Sequence, residues 1–516
     1  MKNGITILWA DDEIDMLKPQ ILFLEEKGYD VHAVTNGLDA VDKCIDPNID
    51  LIFLDEGMPG LSGLETLQMI KEKRPAIPIV MITKNETEGL MEEAIGSKIS
   101  YYLIKPVKSQ QILLTLKKLI DNKRLVTEKT DSNYQKEFQK IFFTLQDAND
   151  HQQWFDIYRK LVHWELELDR TGTAGMKEVL TSQKAEANVE FGKFIDKNYL
   201  KWVAGKGEKP VMSNTLLEEK VFPLLQDKVP TFFVLIDNLR YDQWRIIEPL
   251  ISEFFKLRTE EHFYSILPTA TQYARNAIFA GLMPVEIEKR LPSLWLNDED
   301  EGGKNQHEAE FLKDNIVRHK LNIRYSYHKI LNFNEGKQLE DNILNLLNND
   351  FNVIVYNFVD MLSHARTEME VLKELASDET AYRSLTKSWF DHSPLLDALR
   401  KLSDKKVRII ITTDHGTMRV QAPSKVVADR NTTTNLRYKS GKNLQYNKKD
   451  VFEVKVPAEA GLPRQHVTSS FIFAKEDAFF AYPNNYNHYV NYFKNTFQHG
   501  GISLEEMIVP FAVFES

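Results

Sequence analysis

Residues 51–60 read LIFLDEGMPG: four apolar residues, Asp55, then a turn containing Gly and Pro. A short apolar run bounded by turn residues predicts a fully buried strand, with Asp55 at its carboxyl end. Working outward, similar runs fall at residues 5–10, 31–34, 79–82 and 101–104, with amphipathic stretches between them. Five strands alternating with helices predict a parallel, doubly wound sheet over residues 1–123. The strand ends then gather Asp11 and Asp12, Asp55, Thr83 and Lys105 into one cleft. Three carboxylates there repel unless a hard cation joins them, and Mg²⁺ suits because it takes carboxylate, water and phosphate oxygens. With that charge screened, Asp55 can attack a phosphoryl donor, and Lys105 and the Thr83 hydroxyl can hold the added oxygens. Glu56 adds a further acid beside the acceptor.

The DD pair at 11–12, D-x-x-M-P from Asp55, the Thr at 83 and K-P at 105–106 occur in the order of a bacterial response-regulator receiver domain, which this segment resembles. The resemblance implies a flavodoxin-like (βα)5 fold, Asp55 as phospho-acceptor, the Gly57 carbonyl in the Mg²⁺ shell and Tyr102 at the aromatic switch position. It also implies a sensor histidine kinase as partner and a homodimer formed on phosphorylation.

The chain has 516 residues, which predicts two to four domains, and 42% hydrophobic with 27% charged content is ordinary for globular protein. The net charge of -10 argues against a general nucleic-acid or membrane coat. The one cysteine, Cys44, rules out an internal disulfide framework and fits a reducing compartment. MKNGITILWADDE lacks the long apolar region of a signal peptide, and no apolar run reaches about 18 residues, so a cytoplasmic location without membrane insertion is expected. Residues 124–218 are rich in charge, Gln and aromatics at helical spacing (Phe138, Ile141, Phe142, Leu145; Trp154, Ile157, Tyr158, Leu161), predicting a helical connector or bundle.

From about residue 219 the strand–helix rhythm resumes. The runs at 231–236, 353–358 and 407–412 predict buried parallel strands, and ligands in open α/β sheets bind beyond the carboxyl ends of such strands. Those ends carry Asp237, then Asp360 and His364 at i and i+4, then Asp414–His415 ahead of Gly416. His499 precedes Gly500–Gly501, and Thr271 lies in PTAT ahead of a helix. Mixed carboxylate and imidazole ligands suit zinc, and two such ions clamp the attacking and leaving oxygens of a phosphoryl group. A helix N-terminus at Thr271 also favours a bound phosphate. The acidic stretch 297–310 is expected to be a solvated loop. Residues 416–449 hold eight bases and one acid, with Tyr438 and Tyr446 among them, a pattern that can collect a polyanion and stack bases.

These motifs (ID at 236–237, PTAT, D-x-x-x-H at 360–364, DHG at 414–416, HGG at 499–501) resemble the alkaline phosphatase superfamily, and within it the PglZ-domain group, over residues 219–516. The resemblance implies an alkaline-phosphatase-like α/β domain with two Zn²⁺. One takes Asp360, His364 and His499; the other takes Asp237, Asp414, His415 and the oxygen of Thr271, the catalytic nucleophile. Thr269 is the competing nucleophile. Phosphodiesterase relatives often carry Asn three residues after the nucleophile, where this chain has Ala274. Asn276 or a backbone amide is the expected substitute, and Asn276, Arg275 and Arg437 are the candidate substrate contacts. A sulfatase is disfavoured, since the nucleophile position is Thr.

The order of receiver (1–123), helical segment (124–218) and PglZ-type domain (219–516) resembles PorX-type response regulators. That resemblance implies regulation of type 9 secretion, a PorY-like sensor kinase and an extracytoplasmic-function sigma factor as partners. Two classes of function stay open: a phosphorylation-controlled phosphodiesterase acting on nucleotides or oligonucleotides, with a phosphomonoesterase as variant, or a gated binding protein with a vestigial metal site. No C-terminal helix-turn-helix pattern is present, so no direct DNA-binding domain is expected.

Overall fold

A computed structural model describes residues 5–516 apart from 76, 85–98, 299, 301, 369–377, 429–431, 465 and 467; for 120–126 and 364–368 it describes backbone alone. The chain forms two compact units, one of residues to Asn133 with Thr171–Thr173, the other Tyr134–Arg170 with Ala174–Ser516.

In the first unit the strands Thr6–Ala10, Asp30–Val34, Ile49–Asp55, Ile79–Thr83 and Tyr101–Ile104 pair in parallel. Their spatial order is second, first, third, fourth, fifth. Side chains alternate across a strand, so Leu8, Ala10, Ile52, Leu54, Ile79 and Met81 fill one core. Ile7, Trp9, Leu51, Phe53, Val80 and Ile82 fill the other. Both faces are buried, which is why these strands read as continuous apolar runs. The helix Gly63–Lys73 starts with a capping box between Ser62 and Glu65. A Cβ at Gly63 would lie 2.4 Å from the Asp55 carbonyl oxygen, so only glycine lets this helix begin directly behind the acceptor loop.

In the second unit a six-stranded sheet runs in the order Lys256–Tyr264, Ile508–Glu515, Arg408–Thr412, Thr231–Ile236, Phe351–Tyr356, Tyr325–Ile330. The last four are mutually parallel, as expected, while Ile508–Glu515 is antiparallel to both neighbours. The second expected run, 353–358, ends two residues early, because Phe358 already opens the helix Phe358–Glu368 that carries Asp360. Part of the segment 416–449 is sheet rather than loop: Ala422–Lys425 pairs with Ala478–Ala481, and Tyr438–Gly441 with Ser470–Ala474.

The helices Asn122–Asp147, His151–Thr171 and Ala174–Val203 supply the expected helical middle. From Tyr134 onward their buried face is continuous with the core of the C-terminal sheet. Trp154 packs on Phe191 and Phe194, Phe155 stacks on Tyr264, and Trp202 meets Tyr264 edge-on. Each buried aromatic of this kind contributes ~1.5–3 kcal/mol, so the helices are held by the C-terminal sheet domain itself. Among the described residues no helix is long and apolar enough to cross a membrane.

Candidate functional site

The receiver cleft brings together the residues its sequence named. Asp11 and Asp55 are buried and Asp12 is exposed, with oxygens of all three within 4.8 Å of one another. Lys105 Nζ lies 2.9 Å from Asp11 Oδ2 and 2.9 Å from Asp55 Oδ1. Burial pushes the Asp55 carboxyl up against the opposing bond from Lys105, with Asp11 and Asp12 adding to the rise. An oxygen-only donor set with a carboxyl strained in this way fits Mg²⁺, whose charge favours the ionised acceptor. Gly57 is exposed in the bend, its Cβ direction 3.9 Å from Asp55 Oδ2. Tyr102 is 38% exposed, its ring stacked on Tyr101.

Glu56 has a role that its position alone did not reveal, for the Thr83 hydroxyl donates to its carboxylate. That hydroxyl is the group expected to hold the phosphoryl oxygens, so Glu56 competes with the added phosphate for it. Glu56→Ala is therefore expected to speed phosphorylation by a small-molecule donor by up to roughly tenfold, the size of one charge-assisted hydrogen bond. Phosphate-affinity electrophoresis of time points checks this, and an unchanged or slower rate rejects it.

In the C-terminal domain, Asp237 and Asp414 follow adjacent parallel strands, and Thr271 is the first residue of the helix Thr271–Ala280. Its hydroxyl caps nothing: Thr271 Oγ1 lies 3.1 Å from His415 Nε2 and 3.4 Å from Asp237 Oδ1. His415 Nδ1 sits 3.1 Å from the Gly416 carbonyl oxygen, so Nδ1 donates and the Nε2 lone pair faces the acids. His499 Nδ1 makes the same kind of bond to the Thr269 carbonyl at 3.2 Å, turning Nε2 toward Asp360 Oδ1 at 3.8 Å. The two imidazoles stack with centroids 4.4 Å apart, which sets the two expected ligand groups side by side. The side chain of His364 lies outside the described residues.

Asp237, Asp414 and His415 present ligand atoms within 4.8 Å of one another, and Asp414 Oδ2 is buried without a hydrogen bond. Burial and the neighbouring Asp414 and Asp360 push the Asp237 carboxyl well up despite Arg275; Asp414 is held down by His415 and Arg275 against its own burial. A buried carboxylate oxygen without a donor, beside an imidazole and a hydroxyl, is a donor set that fits zinc. The hydroxyl of Thr269 is turned elsewhere. Thr269 is fully buried, donates to the Gly501 carbonyl at 2.9 Å and accepts from Gly500 N at 3.0 Å, so its hydroxyl ties down the turn after His499.

The three expected substrate contacts need correction. Arg275 is buried with its guanidinium 2.9 Å from Asp237 Oδ2, 2.6 Å from Glu308 Oε1 and 3.1 Å from Asn357 Oδ1, so it orients the acids. Asn276 donates to the Lys304 carbonyl and accepts from Asn305. Arg437 is fully buried and paired to Glu506. The stretch 297–310 is likewise more than a solvated loop. Glu308 is buried and bonded to Arg275 and Lys329, and Asp298 accepts from the Tyr273 and Tyr438 hydroxyls. Sequence reasoning also missed Asn238, whose backbone N donates to Asp414 and whose amide donates to Asp360. Its φ of 64° is a left-handed conformation that Asn tolerates, and an Asn following the strand-end Asp was the available signal.

Behind these loops lies a buried ionic network. Arg383 bonds Glu165 at 2.8 Å and Asp242 at 2.7 Å, Arg240 bonds Glu379 at 2.9 Å, and Lys184 reaches Glu165 at 2.8 Å and Glu505 at 3.5 Å. Glu165, Asp242 and Glu379 could by spacing hold a metal, but Arg240, Arg383 and Lys184 already neutralise them, and Asp242 is held down to about 2. Burial works against that low value; the Arg240 and Arg383 charges outweigh it. Arg240 follows Asp237 by three residues. A Cβ at Gly416 would meet the Glu505 carbonyl oxygen at 2.1 Å and Arg240 Cγ at 3.3 Å, so the DHG turn needs its glycine to pack here. The helices His151–Thr171 and Ala174–Val203 thus touch the loops around the cluster through Glu165, Lys184 and Asn188, the last bonded to Glu505 at 3.0 Å.

A receiver cleft and a buried acid–imidazole–threonine cluster on a mixed α/β sheet define a response regulator joined to an alkaline phosphatase-like domain. Residues 216–514 match the BREX system PglZ alkaline phosphatase-like domain, 124–203 the PorX response regulator linker domain and 7–117 the response regulator receiver domain. The chain belongs to the PglZ family, as a PorX-type response regulator in which receiver and linker precede the PglZ domain. Its similarity to the transcriptional regulatory protein ResD of Bacillus subtilis (strain 168) is 33% identity over 118 residues, 23% of this chain and 49% of ResD. With ZraR of Klebsiella oxytoca it is 34% over 121 residues, 23% of this chain and 27% of ZraR. The chain spans half or less of the length of these curated relatives. Among solved structures, a receiver domain from Clostridium thermocellum is 27% identical, covering 23% of this chain and 98% of its own at a TM-score of 0.22. Vibrio cholerae CheY4 is 24% identical, covering 23% and 99% at a TM-score of 0.22.

Proposed function

We propose that the chain is a zinc-dependent phosphodiesterase, acting on nucleotides or oligonucleotides, whose dimerisation and activity are controlled by phosphorylation of Asp55. The observation that carries this reading is the Thr271 hydroxyl held between His415 Nε2 and Asp237 Oδ1 beside the hydrogen-bond-free Asp414 oxygen. Asp237, Asp414, His415 and Thr271 would hold one zinc and Asp360, His364 and His499 the other. When bound, the ions lower the proton affinity of the nucleophilic hydroxyl and neutralise the phosphoryl oxygens. Thr271 Oγ1 forms a bond to phosphorus as the bond to one alcohol oxygen breaks, its proton leaving to solvent and that alcohol taking one up; water then displaces Thr271, releasing the phosphomonoester and restoring the hydroxyl. Arg275 orients Asp237 and opposes the rise that burial imposes on its carboxyl, and Asn238 fixes Asp414 and Asp360 against each other. The amide end of the helix Thr271–Ala280 faces a phosphate, in the role expected of the missing Asn.

Residues 1–123 receive the signal, 124–218 pass it on and 219–516 respond, with the ionic network from Glu165 and Lys184 to Arg240 and Glu505 as the contact that links helices to catalytic loops. A PorX-type linker supports a setting in type 9 secretion, with a PorY-like kinase upstream and an extracytoplasmic-function sigma factor as partner. Hydrolysis of bis-p-nitrophenyl phosphate and of the monoester, with zinc and with chelator, tests the reading. Chelator-sensitive diester cleavage is expected, together with a phosphodonor-induced dimer that Asp55→Ala abolishes. Turnover of the monoester alone, or none of either ester by zinc-loaded protein, removes the diesterase assignment. An oligomeric state and rate that Asp55→Ala leaves unchanged under phosphodonor remove the control by phosphorylation.

A further inference from the structure

Beside His499 opens a groove of about 1070 Å³ whose walls include Tyr482, Tyr489, Tyr492, Phe493 and Lys439. Part of this wall is the helix Tyr486–Phe493, YNHYVNYF, which buries none of its residues. An eight-residue helix with four aromatic side chains ordinarily spends them on a core. Here Tyr489 is 43% and Tyr492 39% exposed, and the rings order one another: Tyr489 stacks on Phe493, and Tyr492 stands edge-on to it at 4.9 Å. Across the groove Lys439 sits over the Tyr482 ring at 4.6 Å and donates to the Thr433 carbonyl. Burial drives this amine down to about 7, so a bound anion would draw a proton onto it. Asp298 is the one carboxylate in the lining among the described residues, and it is taken up by the Tyr273 and Tyr438 hydroxyls.

We propose that this groove is the base-binding subsite of the enzyme, in which an unpaired nucleobase attached to the scissile phosphate stacks on Tyr489 and Tyr492. The proposal rests on the diesterase reading above and names where its substrate's specificity is read. Three observations favour a nucleobase over a peptide or lipid. The groove runs directly to His499, at the expected metal centre. Its apolar lining is mainly aromatic, with Leu436 and Ala481 as the aliphatic members, and stacking on aromatics is tolerant of base identity. It offers the Lys439 amine, onto which an anion would draw a proton, but no uncommitted carboxylate in the described lining, which suits an anionic ligand. The volume exceeds that needed for one drug-sized ligand, leaving room for more than one nucleotide. The basic segment 416–449 was expected to provide stacking through Tyr438 and Tyr446, but Tyr438 is buried; the ring surface comes from residues 482–493 instead.

The test compares kcat/KM of the zinc-loaded full chain for thymidine 5′-p-nitrophenyl phosphate and for methyl p-nitrophenyl phosphate, which has no base. The ratio of the two is expected to fall about 10- to 100-fold in Tyr489→Ala/Tyr492→Ala and to survive in Tyr489→Phe/Tyr492→Phe, which keeps the π-faces. A ratio unchanged in the Ala variant, or lost equally in the Phe variant, overturns the subsite. Anisotropy of a fluorescein-labelled oligothymidylate on Thr271→Val protein, with and without the tyrosine changes, reads binding without turnover. Should wild type cleave neither ester, weaker binding in the Ala variant alone upholds the groove while the diesterase reading falls; equal binding in all three rejects the groove.

Discussion

Thr271→Val is expected to lower the rate of diester hydrolysis by on the order of 10⁴-fold or more, because it removes the attacking oxygen while keeping the shape of the side chain. The zinc content should persist, since Asp237, Asp414 and His415 remain to hold the ion. Thr271→Ser should retain most of the rate, as the oxygen stays at the first turn of the same helix. Elemental analysis of the purified variants beside initial rates separates loss of nucleophile from loss of metal. A Thr271→Val enzyme that keeps its rate would move the attack to a water. Thr269 is no substitute, because its hydroxyl is spent on Gly500 and Gly501.

Arg437→Leu is expected to destabilise the C-terminal domain by ~3–5 kcal/mol, the cost of leaving a buried charge without its partner. Arg437 and Glu506 are both fully buried, joined through Nε–Oε1 at 3.1 Å and a second contact at 2.5 Å. Glu506 also accepts from Gly501 N at 2.9 Å and Ser503 Oγ at 2.7 Å, and its carbonyl accepts from Gly416 N at 3.2 Å. Losing Arg437 therefore loosens both the turn after His499 and the DHG turn, so catalysis should fall along with stability. Urea unfolding followed by tryptophan fluorescence gives the measure. The double variant Arg437→Leu/Glu506→Leu should recover part of the loss, since two apolar groups leave no charge stranded. Equal stability of wild type and the single variant would sink the account.

The same arginine shows where reading from sequence stopped. Among eight bases in residues 416–449, Arg437 and Lys439 look like Lys448 and Lys449, yet the first two are buried and the last two exposed. What separates them is the pairing of Tyr438–Gly441 with Ser470–Ala474, which carries Lys439 and, through the bond from Ala474 N to its carbonyl, Arg437. Glu308, in an acidic stretch that composition marks as solvated, ends up against Arg275 because the helices Glu308–Arg318 and Thr271–Ala280 pack together.

The acceptor Asp55, the acids Asp11 and Asp12, Lys105, and the strand-end residues Asp237 and Asp414 were legible because one local rule locates them. An apolar run buried on both faces must end in a turn, and parallel strands bring such ends to one edge. Sequence by itself therefore determined the five-stranded sheet, three central strands of the second sheet, the helical intermission and which side chains stand at the strand ends. Only the tertiary structure decided which threonine hydroxyl faces the acid–imidazole cluster, which arginines pair with buried acids, and that the middle helices share the core of the C-terminal sheet. Those outcomes depend on which long-range neighbour each polar group meets when it loses water, and a buried charge is settled by its partner rather than by its place in the chain.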